Sequence, residues 1–471
     1  MNIVVIGAGY VGLVTACCFA QTGNRVICVD HDSVKIKGLE NSGIPFHEPG
    51  LEALLGVQLR SARLIFETSI ARAMRGADVA FLAVGTPSRA DGSANLDNLL
   101  HCARELANTA FGDCIVVVKS TVPVGTSNLI EEILGAQRAG QAGHPRVFVA
   151  SNPEFLAEGR AVEDFQAPTR IVVGANDECS KKVLRKLYAP FDPDGTRLLV
   201  MDRRSAEFAK YACNAMLAAR ISMINELSGI AGKLDADIQA VCRVLKGDPR
   251  IGASYLCPGV GYGGSCLPKD LNALIASAQA VQEPAVMLRG IKRVNERQGE
   301  LLLQMMRRHF GGDLQDRRIA IWGLAFKPGT DDVRAAPSLT LIRQLLEEGA
   351  QVYAYDPVAV IAAQRAIGTT SVVFGTSRMD VCEGADALVV MTEWDEFRSV
   401  DFAWLASLLH WRAIFDARNI YDATLLRRYG LQLYQLGRGV KLECASPNLR
   451  GNDIEGKQLY EPLRTKRPNN A

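Results

Sequence analysis

Hydrophobic and polar positions along the chain fall into blocks of two kinds. Short runs rich in Val, Ile and Ala, at residues 2–6, 25–30, 79–84, 114–118 and 147–150, read as buried strands. Between them apolar positions recur at helical spacing, first over Tyr10 to Gln21. Strands alternating with helices predict a parallel sheet covered on both faces, one domain reaching to about residue 200. From residue 203 to about 240 the helical period runs on without a strong breaker, the pattern of a helix that joins two lobes or forms a dimer surface. A glycine-dense loop, Pro258 to Asp270, and more helix to about residue 310 follow. Near Arg318 the opening logic repeats: IAIWGLAFKPGT and AQVYAYDP form strand, glycine turn, helix and a strand ending in Asp356. The expected fold class is α/β, with two Rossmann-like doubly wound parallel-sheet domains joined by a long central helix. The segments are 1–200, 201–310, 311–440 and a polar, disordered tail over 441–471.

Composition narrows the function classes. Of 471 residues, 48% are hydrophobic and 22% charged, the balance of a globular protein with a real core. A net charge of +2 without a long basic run argues against nucleic acid as partner. No stretch of about 18 uninterrupted apolar residues occurs, so no membrane span is expected. The opening MNIVVIGAGYVG lacks the charged start of an export signal and reads as a strand entering a turn. The 12 cysteines form no CxxC pair, and reduced thiols in the cytoplasm are the expected state. The 6 histidines show no metal-ligand spacing, and no metal is expected.

Gly7, Gly9 and Gly12 form GxGxxG between a strand and a helix. The first glycine permits the tight turn, the second lets backbone approach a pyrophosphate, and the third lets helix and strand pack closely. Asp30 ends the next strand, where a carboxylate bonds ribose hydroxyls and repels a 2′-phosphate, so NAD is favoured over NADP. The turns holding Thr86 and Thr121 should border the same crevice.

In GVGYGGSCLPKD, Ser265 is a plausible helix cap and Pro268 suits a first turn, placing Cys266 at the positive end of a helix, where thiolate is favoured. Lys269 adds positive potential, and Asp270 lies one turn on. Oxidising an aldehyde to an acid needs a tetrahedral adduct, and a thiolate supplies one; a thioester follows, which water cleaves. Lys210 and Asn214, four apart, share a helix face and can hold an oxyanion. In SNPEFLAEGR, Asn152 and Pro153 read as a helix start, which would put Glu154 and Glu158 on one face.

These segments, together with HEPGL, VGTP, KSTVPVGT, DPRIG, GLAFKPGTDDVR and FDARN, resemble the UDP-glucose/GDP-mannose dehydrogenase family from the N-terminus to about residue 425. The resemblance implies oxidation of UDP-glucose by two NAD and water to UDP-glucuronate. It implies Cys266 as nucleophile, Lys210 and Asn214 on the oxyanion, Asp270 and Thr121 on a water, and Glu154 in thioester hydrolysis. Gly7, Gly9, Gly12, Asp30, Lys35, Thr86 and Arg334 match cofactor contacts. Glu158 lies in the substrate-binding stretch, and Arg250, Lys327 and Arg418 match groups that bind the sugar nucleotide. Arg250 reaches in from a second subunit in the homodimer that the family builds on its central helix. Leu267 stands where leucine is familiar from GDP-mannose enzymes, whereas DPRIG and PGVGYGG look like the UDP-glucose branch. GDP-mannose and UDP-N-acetylhexosamine are the alternative substrates.

Overall fold

The structure, a computed structural model, describes residues 1–109, 111–136, 146–368 and 371–438; the expected tail lies outside them. Two sheets carry the architecture. The first contains β1 (Asn2–Ile6), β2 (Arg25–Val29), β3 (Leu64–Glu67), β4 (Val79–Leu82), β5 (Cys114–Val118), β6 (Val147–Ser151), β7 (Ile171–Gly174) and β8 (Leu198–Met201). Its order is β3-β2-β1-β4-β5-β6-β7-β8, parallel except where β7 meets β6. The second contains β9 (Arg318–Trp322), β10 (Gln351–Tyr355), β11 (Val372–Phe374), β12 (Ala387–Val390), β13 (Ala413–Asp416) and β14 (Gln432–Gln435). Its order, β11-β10-β9-β12-β13-β14, is parallel throughout.

Every residue of β4, β5, β12 and β13 is buried, as a parallel sheet with helices on both faces demands. Apolar clusters lie on both faces of each sheet. In both sheets the strand order reverses beside the first strand, at β1/β4 and β9/β12, and such switch points open a crevice at the carboxyl ends of the strands.

The long helix spans Arg203–Lys233, with Asp202 accepting from the Ser205 amide at its start. It stops short of the expected residue 240. The amides of Leu234 and Ala236 fold back onto Ala231, Asp235 turns with φ 54°, and Asp237 caps a separate helix, Ile238–Gly247. Helices Leu267–Ala280 and Val286–His309 pack against the long helix. The loop before Leu267 is stitched to the second α/β unit. Val260 donates to the Ala417 carbonyl at 3.1 Å and Gly264 to that of Arg334 at 2.8 Å. At Gly263 a β-carbon would stand 2.3 Å from the Ala335 carbonyl oxygen, so only glycine lets the loop lie this close. Among the described residues no helix is long and apolar enough to cross a membrane.

Candidate active site

Two sites can be built from the expected residues. The first is the crevice above β1. Gly7 follows the strand with φ 106°, and helix Tyr10–Gln21 begins three residues after it. A β-carbon on Gly12 would fall 1.8 Å from the Gly7 carbonyl oxygen, whereas one on Gly9 would meet nothing within 4 Å. The turn is thus closed at Gly12 and open at Gly9, and Gly9 places no side chain over the helix N-terminus. Asp30 accepts from the Ala8 amide (3.0 Å), the Asp32 amide (3.1 Å) and Lys35 Nζ (2.8 Å). Burial pushes its pKa up, but Lys35 and the two amides outweigh this and hold it below the usual carboxylate range. Thr86 donates its hydroxyl to the Thr121 carbonyl at 2.8 Å, joining the loops after β4 and β5. This arrangement fits a dinucleotide: open space and a helix N-terminus for the pyrophosphate, and an ionised acid for a ribose.

The second unit repeats the turn but not the free acceptor capacity of its acid. Asp356 accepts from four amides, those of Leu324, Ala325, Val358 and Ala359, and from Trp394 Nε1. Five donors leave it little capacity for a ribose.

The second site is a cavity of about 410 Å³ between the units. Lys210 and Asn214 line it from the long helix, Glu158 from the segment after β6, and Lys327 and Arg418 from the second α/β unit, with Cys266 among them. Lys210 Nζ lies 3.0 Å from Glu154 Oε1, with side chains 4% and 6% exposed. Asn214 Nδ2 donates to Asp270 Oδ2 at 2.6 Å, and Lys269 holds Asp270 Oδ1 at 2.6 Å. Arg418 donates to the carbonyls of Met391 (2.7 Å) and Phe326 (3.0 Å), and Glu393 lies 3.3 Å from it. Burial pushes the Lys327 pKa down, against nearby Glu158 and Glu48. Its charge stands largely desolvated at the cavity wall, where an anionic ligand would compensate it.

Three local expectations are corrected. Residues 152–157 are not helical; the helix begins at Ala161. Side chains take the amides a first turn would leave free: Glu154 accepts from Leu156 N at 2.6 Å and Asp164 from Ala157 N at 2.9 Å. Glu154 and Glu158 therefore do not share a helix face. Glu154 turns to Lys210, while Glu158 accepts from Ser265 Oγ (3.0 Å) and Thr330 Oγ1 (3.2 Å). Ser265 is not the cap either; Cys266 occupies that position, and no side chain caps the helix. Nor does the site favour thiolate by itself. Burial, then Glu154, push the Cys266 pKa up, and Lys210 only partly offsets them. The positive helix end is the weaker influence once the sulfur is desolvated.

Arg334 lies on the Glu158 side of the cavity, paired with Asp332 at 2.7 Å and 3.5 Å from Glu158. Arg250 does not reach this chain's cavity; its side chain is 87% exposed and pairs with Asp248 at 2.6 Å. Burial and Asp332 raise the Glu158 pKa to about 7, against Arg334 and Ser265.

Two contributors escaped the sequence reading. Buried Glu48 accepts from the amides of Gly159 and Ala161, both at 2.7 Å, and from the Tyr10 hydroxyl, so it fixes the turn that carries Glu158. Its only signal was the HEPGL match. Lys119 is buried behind Glu154, donating to Asn152 Oδ1 (3.0 Å) and Tyr188 (3.2 Å), with its pKa pushed down by burial to about 8.

Comparison with known proteins agrees with this arrangement. Residues 1–192 match the NAD binding domain of the UDP-glucose/GDP-mannose dehydrogenase family, 204–297 its central domain and 320–423 its UDP binding domain. The chain is 46% identical to a UDP-glucose 6-dehydrogenase of Pseudomonas aeruginosa, over 93% of this chain and 98% of the relative. It is 41% identical to one of Rhizobium meliloti, over 93% and 100%. A solved UDP-glucose dehydrogenase from Pyrobaculum islandicum superposes with TM-score 0.85 at 36% identity, covering 93% of this chain and 97% of that one. The chain belongs to the UDP-glucose/GDP-mannose dehydrogenase family, and its first unit is that family's NAD-binding domain.

Proposed function

We propose that the chain oxidises the C6 alcohol of UDP-glucose to the carboxylate with two NAD, through a thiohemiacetal and a thioester on Cys266. The observation that carries this is the cavity itself. A thiol, a lysine–asparagine pair and two cations from the opposite unit line one space of about 410 Å³, large enough for a nucleotide-sugar end. NAD, when bound above Gly9 and Asp30, supplies the hydride acceptor. Lys327 and Arg418 hold the diphosphate side of the substrate, which orients C6 toward the sulfur. Lys210 and Asn214 stabilise the oxyanion that forms when Cys266 attacks the aldehyde carbon. Asp270, held by Asn214 and Lys269, positions water together with Thr121, and Glu154 assists its attack on the thioester.

The division we propose is 1–200 for NAD, 201–310 for the central helices and cysteine loop, and 311–440 for the UDP-sugar; the family matches break at neighbouring places. We further propose a homodimer on the long helix. Its exposed Phe208, Met216, Met223 and Ile230 favour a covered face, and exposed Arg250 would complete the partner's sugar site. The cysteines form no CxxC pair, and Cys17, Cys18, Cys28 and Cys382 are buried in packed cores, which favours reduced thiols and a cytoplasmic location. Cys266→Ser tests the route. It should end UDP-glucuronate formation while NAD binding, measured by calorimetry, stays intact. Acid formation at the wild-type rate would exclude the thioester.

A further inference from the structure

Burial keeps the Cys266 thiol protonated, so its attack on a carbonyl needs a place for the proton. The sulfur contacts Ser265, with Sγ and Oγ 3.4 Å apart. Ser265 donates its hydroxyl to Glu158 Oε1 at 3.0 Å. A serine carries a single hydroxyl proton, and Glu158 receives it. The contact to sulfur is therefore made by the thiol donating to Ser265 Oγ. A continuous hydrogen-bond chain runs from the nucleophile to a carboxylate.

We propose that Ser265 is the proton relay of the nucleophile, delivering the thiol proton to Glu158 as sulfur bonds to the aldehyde carbon. This rests on the reading of Cys266 as nucleophile. In the step, the S–H bond breaks and its proton joins Ser265 Oγ. The original hydroxyl proton moves to Glu158 Oε1. The sulfur electron pair forms the S–C bond, and the carbonyl pair moves onto oxygen beside Lys210 and Asn214. No electron leaves the site, so no further reactant is needed.

The other carboxylates around the sulfur are poor acceptors. Glu154 is engaged by Lys210 at 3.0 Å and has Lys119 behind it. Asp270 has one oxygen on Asn214 and the other on Lys269. Glu158 faces Asp332, Arg334, Ser265 and Thr330, with Tyr10 and Lys327 nearby, and titrates at about 7. It is thus substantially ionised at neutral pH and still basic enough to take a proton. The sulfur itself faces Glu154, Lys210 and Asp270, with Lys327 and Arg334 beyond.

The test is the rate at which iodoacetamide alkylates Cys266, located by peptide mass mapping, from about pH 5 to about pH 10, a range that brackets both groups. The wild type is compared with Ser265→Ala, Ser265→Thr and Glu158→Gln, and calorimetric NAD binding shows that each variant is folded. Wild type and Ser265→Thr should show an inflection at about 7. Ser265→Ala and Glu158→Gln should lose it and react about 10²-fold more slowly at neutral pH, the lower end of a general-base contribution. A wild-type profile in Ser265→Ala, or a wild type that lacks the inflection or is not alkylated at any pH, would overturn the relay. No sugar enters this assay. Its failure leaves the oxidation of UDP-glucose standing, and absence of UDP-glucose turnover would sink that reading without touching the relay.

Discussion

Replacing Lys210 by methionine removes the cation of a buried pair and strands Glu154. The charges lie 3.0 Å apart on side chains 4% and 6% exposed. At an effective dielectric of about 20 their attraction is about 5–6 kcal/mol. Desolvation costs several kcal/mol per ion, so the intact pair adds little net stability. Losing one partner is different, because the remaining buried charge is uncompensated; such losses run at about 3–5 kcal/mol. Lys119 also lowers the Glu154 pKa and keeps part of the compensation, which puts the expected loss near the lower end, about 3 kcal/mol. The pH dependence has a definite sign. In the wild type burial pushes the Glu154 pKa up, but Lys210, the Leu156 amide and Lys119 outweigh it, and the folded value lies below the usual range. Its stabilisation is complete above the unfolded pKa and fades as pH falls through the folded value. Without Lys210, burial prevails, the folded value rises above the unfolded one, and the group destabilises increasingly as pH rises. The gap between the two proteins should therefore widen from about pH 4 to about pH 7. Urea unfolding of wild type, Lys210→Met, Glu154→Gln and the double variant measures it, and the double variant should recover most of the loss. A Lys210→Met loss below about 1 kcal/mol, the size of an exposed pair, or a gap that narrows with rising pH, would refute the reasoning.

Two further outcomes are expected. Asp30→Ala should weaken NAD more than NADP in calorimetry, because it removes the ribose acceptor and frees Lys35 for a 2′-phosphate; equal weakening contradicts the role given to Asp30. Glu48→Gln replaces an acceptor of two amides by a group that accepts fully with one atom only, a loss of about 1.5–3 kcal/mol at the turn bearing Glu158. It should raise KM for UDP-glucose with NAD affinity unchanged, and unaltered steady-state kinetics would contradict it.

Local pattern makes the first nucleotide unit readable from the sequence alone. Gly7, Gly12 and Asp30 act within about two dozen residues of one another, and their strand-turn-helix context is written in the same window. The long helix was legible from its period, though not its end, since the break at Leu234 comes from a turn rather than from Gly or Pro. What the sequence hid depends on contacts between distant segments. Glu48 acts on amides more than a hundred positions away. The stretch around Glu154 looks helical until Asp164 and Lys210 claim its polar groups. From its helix position the thiol reads as acidic, but its surroundings come from the segment after β6, the long helix and the second unit, and their desolvation outweighs the helix end. Ser265 read as a cap for the same reason; its true acceptor, Glu158, lies over a hundred residues upstream.

The central claim is that one site carries a hexose from alcohol to acid without releasing the aldehyde. The most direct measurement is the amount of NADH formed per UDP-glucose consumed by the wild-type chain, with the sugar product identified by mass. Two NADH for each UDP-glucuronate is the expected ratio, since each oxidation delivers one hydride. One NADH per sugar, with the aldehyde accumulating in solution, would contradict the account.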